Sequence, residues 1–148
     1  MSGTSDHIFR ENVAPVFEAF VREVLGIRPI TSEEVELPLP KTSERKPDYL
    51  RKVLLPGEQE PVILHIEFEH KASSMMPYRM LEYNALIRRK LELDVRQYVV
   101  LLSGSGDSML TEINEKDLIF RYSMVRMQHV KFEALIDSGI PELIVSAC

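Results

Sequence analysis

Residues 62–71 read VILHIEFEHK, and four of them, His65, Glu67, Glu69 and Lys71, fall on alternate positions. Strand side chains alternate between faces, so these four share one face, while Ile63, Leu64, Ile66 and Phe68 supply the hydrophobic part. Two carboxylates between a histidine and a lysine make a set that chemistry can use. Hard divalent cations prefer carboxylate oxygens, and a pair held by the backbone leaves coordination sites open for water and an anionic substrate. A third carboxylate, Asp48, opens the preceding predicted strand, DYLRKVLL (48–55). The intervening PGEQEP (56–61) is dense in turn residues, so a hairpin would bring Asp48 and Glu67 onto adjacent strands, where they could meet. Each feature also has a plain structural reading. Asp48 after Pro47 is a good turn residue, an alternating polar row is what an exposed sheet face gives, and a histidine beside a carboxylate is more often satisfied by it than bound to metal.

The elements that must position these residues follow from periodicity. Val13, Val16, Phe17, Phe20, Val21 and Val24 recur at helical spacing, which predicts a first helix from Asn12 or Ala14 to Leu25, with Pro15 in its first turn and Gly26 at its stop. EEVELPL (33–39) reads as a short edge or irregular strand because of Pro38 and Pro40, and KTSERKP is a polar turn. From Met76 to Leu91 the pattern is helical, with Met76, Met80, Tyr83, Ile87 and Leu91 on one side and Arg79, Glu82 and Arg89 on the other. VRQYVVLLSG (95–104) reads as a buried strand closed by the turn SGSGDS, IFRYSMVRM (119–127) as a weaker strand, and Phe132 to the end as short helical material. A hairpin followed by a helix and another strand predicts a mixed sheet in an α/β fold, with the 76–91 helix crossing between parallel neighbours.

Composition narrows the class. A chain of 148 residues fits one domain, 1–148, large enough for a single core, and 45% hydrophobic with 28% charged residues is the balance of a globular protein. The single cysteine, Cys148, cannot form an internal disulfide, which favours a reducing, cytoplasmic setting. No apolar run approaches the roughly 20 residues of a membrane span, and the polar start MSGTSDH lacks a signal peptide's apolar stretch. A formal charge of −5 argues against a broad basic grip on nucleic acid, so any DNA contact is expected to be local. SGSGDS has no following Lys-Ser/Thr pair and is not expected to bind a nucleotide, and Arg88-Arg89-Lys90 lies too close to Glu92 and Asp94 to mark a nucleic-acid surface.

Taken in order, PDYL (47–50), HIEFE (65–69), MPYRMLEYN (76–84) and RQYVVLL (96–102) resemble the recombination-promoting nuclease and putative transposase family of the PD-(D/E)XK nuclease superfamily. The similarity covers roughly residues 6 to 145. It implies a restriction-endonuclease-like α/β core, a mixed and mainly four-stranded sheet flanked by helices. The activity implied is metal-dependent DNA cleavage linked to recombination or transposition, with DNA as partner; self-association is left open. Asp48 and Glu67 would hold magnesium or manganese, joined by Glu18 from the first helix. Glu69 departs from the family pattern, which has a glutamine or lysine there, because an ionised carboxylate cannot donate a hydrogen bond. Glu69 then either binds a second metal or repels the substrate phosphate, and Lys71, one pleat further along, is the candidate replacement donor. Arg79 is a candidate phosphate contact, with solvation or pairing to Glu82 as its structural reading. The alternative function is a nuclease fold that has lost efficient chemistry and serves as a binding or assembly module.

Overall fold

The computed structural model describes residues 15–39 and 46–129, which belong to two compact units, one reaching Arg28 and the other spanning Pro29–His129. The expected start of the first helix, most of the 41–47 turn and the helical material after Phe132 lie outside the described residues.

In the first unit the chain is helical over 15–23 (α1), and Val16, Ala19, Phe20 and Val21 are its buried positions. The spacing is that of one helix face. Gly26 has φ +69°, and the Ile27 amide donates to the Val21 carbonyl at 3.0 Å, so the chain leaves the helix through a left-handed residue.

The second unit is built on a five-stranded mixed sheet in the order β1-β2-β3-β4-β7. Its strands are β1 (Thr31–Glu34), β2 (Tyr49–Leu54), β3 (Val62–Glu69), β4 (Val95–Leu101) and β7 (Ser123–Arg126). β1, β2 and β3 pair antiparallel, whereas β4 runs parallel to β3 and β7 parallel to β4. The β2–β3 hairpin turns through Leu55–Pro61, with Gly57 at φ +83° and the Glu58 amide donating to the Leu55 carbonyl at 3.1 Å. Its register sets Tyr49 against Ile66. One residue further out, Asp48 therefore stands opposite Glu67.

The parallel β3–β4 pair needs a crossover, and α2 (Met76–Leu91) provides it. Pro77 suits the first turn, Arg88, Arg89 and Lys90 complement the dipole at the last turn, and Glu92 ends the helix at φ +55°. Ile63, Ile87 and Val95 join Leu50 in one core cluster between sheet and helix, with Tyr83 and Leu91 packed against it. Met76, Met80 and Val99 join Met109, Ile113, Phe120 and Tyr122 in a second. Full burial of a side chain of this size stabilises by about 1.5–3 kcal/mol, so these clusters clamp α2 to the strands that carry the polar row.

The structure overturns the exposed-face alternative and corrects several expected details. The polar row is not an exposed face: β3 is buried on both faces from Val62 to Glu67, because α2 covers the side that carries His65 and Glu67. Ile63 lies on that same face, since odd positions of β3 share it; the hydrophobic residues of the other face are Val62, Leu64, Ile66 and Phe68. The expected single strand 119–127 is two, β6 (Leu118–Arg121) and β7, with β6 forming a separate two-stranded ribbon with β5 (Glu112–Glu115). The break falls at Tyr122, whose amide donates to the Thr111 carbonyl at 3.1 Å and whose hydroxyl donates to the Leu110 carbonyl. The first strand is also displaced: it occupies Thr31–Glu34 rather than 33–39, ending before the prolines, as their missing amides require.

Candidate functional site

Asp48 and Glu67 are brought together by the end of the β2–β3 ladder. The Asp48 amide donates to Glu67 Oε2 at 2.7 Å, and the Phe68 amide donates to Asp48 Oδ2 at 2.9 Å. The two side-chain carboxylates thus satisfy two backbone donors where the ladder ends. Glu67 is 0% exposed, and its second oxygen, Oε1, is buried without a hydrogen-bond partner. A buried oxygen left unpaired costs free energy, which a hydrogen-bond donor, a water or a cation would relieve.

His65 stands on the same face and is also 0% exposed. Its Nε2 lies 3.4 Å from Glu67 Oε2, near enough to feel the charge but longer than a well-formed hydrogen bond. The ring of Tyr83 packs on the imidazole with centroids 4.8 Å apart. On the far side, Gln97 Nε2 is 3.1 Å from His65 Nδ1 and donates to the Met80 carbonyl at 2.9 Å.

Glu69 is engaged by α2. Arg79 Nη2 lies 2.9 Å from Glu69 Oε1, with side-chain exposures of 30% and 12%, a part-buried ion pair. Arg79 is held above its ordinary pKa: burial works to lower it, but the pairing with Glu69 and the further charge of Glu67 outweigh burial. The expectation that Arg79 sits on the outer helix face is therefore corrected. Positions 76, 79, 80, 83 and 87 follow i, i+3, i+4, i+7 spacing, which sets Arg79 at the border of the buried stripe. Glu82 is exposed.

Lys71 lies beyond the site. β3 ends at Glu69, the chain bends at His70, and Lys71 is exposed, so the pleat that would have aligned it with Glu69 no longer runs. The cation beside the third position is Arg79 instead. Glu18 is an exposed residue of α1 in the first unit.

Sequence reasoning missed Asn84 and Gln97. The signals were present: Gln97 interrupts the apolar run of a buried strand, and Asn84 follows Met80 by four residues on the covered helix face.

Among the described residues, no group of three or more His, Cys, Asp or Glu is arranged to hold a metal ion. What the site offers is the smaller set of Asp48 and Glu67, with the unpaired Oε1 of Glu67. Magnesium is commonly held by one or two carboxylates together with waters and substrate phosphate oxygens, so the two residues fit such an ion as a partial set. No family model matches the chain, and no significant match was found among curated proteins or solved structures.

Proposed function

We propose that this chain is a metal-dependent phosphodiesterase acting on DNA, on a restriction-endonuclease-like core, as its resemblance to recombination-promoting nucleases implies. The observation that carries the reading is the junction of Asp48 and Glu67 across the hairpin, with Glu67 Oε1 unpaired. The strand order supports it, since the antiparallel hairpin passes through a crossover helix to a parallel neighbour.

In this reading Asp48 and Glu67 hold magnesium or manganese. Such an ion, when bound, polarises the phosphoryl oxygen and lowers the pKa of an attacking water. The chain's own residues do the rest. The Asp48 and Phe68 amides hold the two carboxylates in fixed directions. Arg79 neutralises Glu69, which removes the repulsion that this carboxylate would exert on a phosphate and leaves guanidinium donors at the rim of the site.

A second reading is favoured by the complete burial of Glu67: the carboxylates act only as clamps on the strand end, and the domain is a binding or assembly module. One experiment separates the two. Plasmid nicking is measured with and without magnesium for the wild type, Asp48→Asn and Glu67→Gln, alongside calorimetric titration of the ion. Amide variants keep an acceptor for the backbone donors, whereas an alanine at either position would leave a buried amide unpaired at a cost of about 1–3 kcal/mol. The expected result is nicking only with metal and a fall of about 100-fold in each variant, equivalent to about 2.7 kcal/mol of transition-state stabilisation. Folded wild-type protein that neither binds the ion nor nicks DNA transfers the assignment to the module.

A further inference from the structure

A chain of polar side chains runs from the exposed end of α2 to the buried carboxylate, and its polarity can be read from its two ends. Arg88 can only donate, and its Nε donates to Asn84 Oδ1 at 2.8 Å. Asn84 must then present Nδ2 to Gln97, which accepts at Oε1 at 2.7 Å. Gln97 is thereby oriented with Nε2 inward, where the Met80 carbonyl, which can only accept, takes one proton at 2.9 Å. The other amide proton faces His65 Nδ1 at 3.1 Å. Amide orientation and imidazole tautomer are ordinarily ambiguous in a structure, but here an arginine at one end and a carbonyl beside Gln97 remove the ambiguity. His65 Nδ1 is the acceptor, so its proton is on Nε2, the nitrogen 3.4 Å from Glu67 Oε2.

We propose that Gln97 is a positioning residue for Glu67: oriented by Asn84, it holds His65 as the Nε2–H tautomer, whose N–H restrains Oε2 and leaves Oε1 as the free oxygen. In the structure Nε2 faces Oε2 at 3.4 Å without forming a hydrogen bond, so the N–H acts on the carboxylate as an oriented dipole at that distance. Outer partners of this kind fix the direction of a carboxylate, and their loss typically costs about 10–100-fold in metal affinity. The consequence for metal affinity rests on the phosphodiesterase reading; the tautomer does not.

The test is nitrogen NMR of the His65 ring, assigned by loss of the signals in His65→Gln, in wild type, Gln97→Met and Asn84→Asp, each checked for folding by circular dichroism. Gln97→Met removes the donor. Asn84→Asp keeps the pairing with Arg88 but cannot donate to Gln97, so it sets an acceptor against Oε1 and leaves the Met80 carbonyl as the one anchor opposing a turn of the glutamine. Asn84 borders solvent, which makes this variant the safer one should Gln97→Met fail to fold. The wild type is expected to show a pyridine-type Nδ1 and a protonated Nε2. Asn84→Asp is expected to move the population toward the Nδ1–H form and to weaken magnesium binding by about 10-fold or more. A wild-type ring protonated at Nδ1, or a tautomer unchanged in folded Asn84→Asp, overturns the inference. An altered tautomer with unchanged magnesium affinity overturns the positioning role. If wild type binds no magnesium, the metal reading falls, and the inference is judged on the tautomer alone.

Discussion

At the scale of single residues, Glu69 carries the sharpest consequence. From sequence it stands where a hydrogen-bond donor is expected, and replacement by glutamine or lysine would be the obvious repair. The structure separates these two substitutions. Glu69→Gln keeps an oxygen for Arg79 while removing one negative charge, so the fold is retained and Arg79 is freed toward a phosphate; on the phosphodiesterase reading, magnesium-dependent nicking is maintained or raised. Glu69→Lys places an ammonium against the guanidinium that now lies 2.9 Å from Glu69, and it is expected to lower stability by about 1–2 kcal/mol as well as activity. Arg79→Ala leaves Glu69 and Glu67 without that cation and is expected to reduce nicking. Denaturant unfolding beside the plasmid assay checks all three, and equal stability of Glu69→Lys and wild type would refute the pairing. The candidate carboxylates were legible in the sequence because a turn-rich hairpin and a period-two row fix their faces. The Arg79 pairing was misread because its position borders two helix faces, and which face β3 occupies is decided by tertiary packing.

At the scale of elements, α2 was legible to the residue, since its apolar stripe, its early proline and its basic last turn agree. The β5–β6 ribbon was not. Each of its strands has four residues with few buried ones, too short for alternation to stand out from a loop. Between β4 and this ribbon, SGSGDS is a structural turn with demanding geometry. Gly106 has φ +75°, and a Cβ there would stand 2.8 Å from Leu101 Cδ2, on a side chain that is itself fully buried. Gly57 has φ +83° with nothing within 4 Å. Gly106→Ala is therefore expected to cost about 2 kcal/mol, combining backbone strain with displacement of packed atoms, and Gly57→Ala about 1 kcal/mol from strain alone. Thermal unfolding of the two variants tests the ordering, and an equal loss would show that Leu101 yields freely.

At the scale of the whole molecule, the α/β class and the parallel crossover were legible from element order, while the depth at which the polar row lies was not. A row of His, Glu and Glu reads as a wet surface in any local window; only the docking of α2 across β3 and β4 makes it interior. The acidic balance of the chain fits a site whose cations are few and local, with Arg79 at its edge. The Asp48 amide proton is held, in a part-buried hydrogen bond, by the carboxylate of the fully buried Glu67, so its exchange requires that bond to break. Its exchange with deuterium becomes a clock for opening of the site. It is expected to be slow beside the amides of the 56–60 turn and, on the phosphodiesterase reading, slower still with magnesium present, because a ligand held only by the closed form multiplies the rarity of opening by its own occupancy factor. Exchange as fast as that of the turn would mean that the carboxylate pair lives in an open rim rather than in the interior.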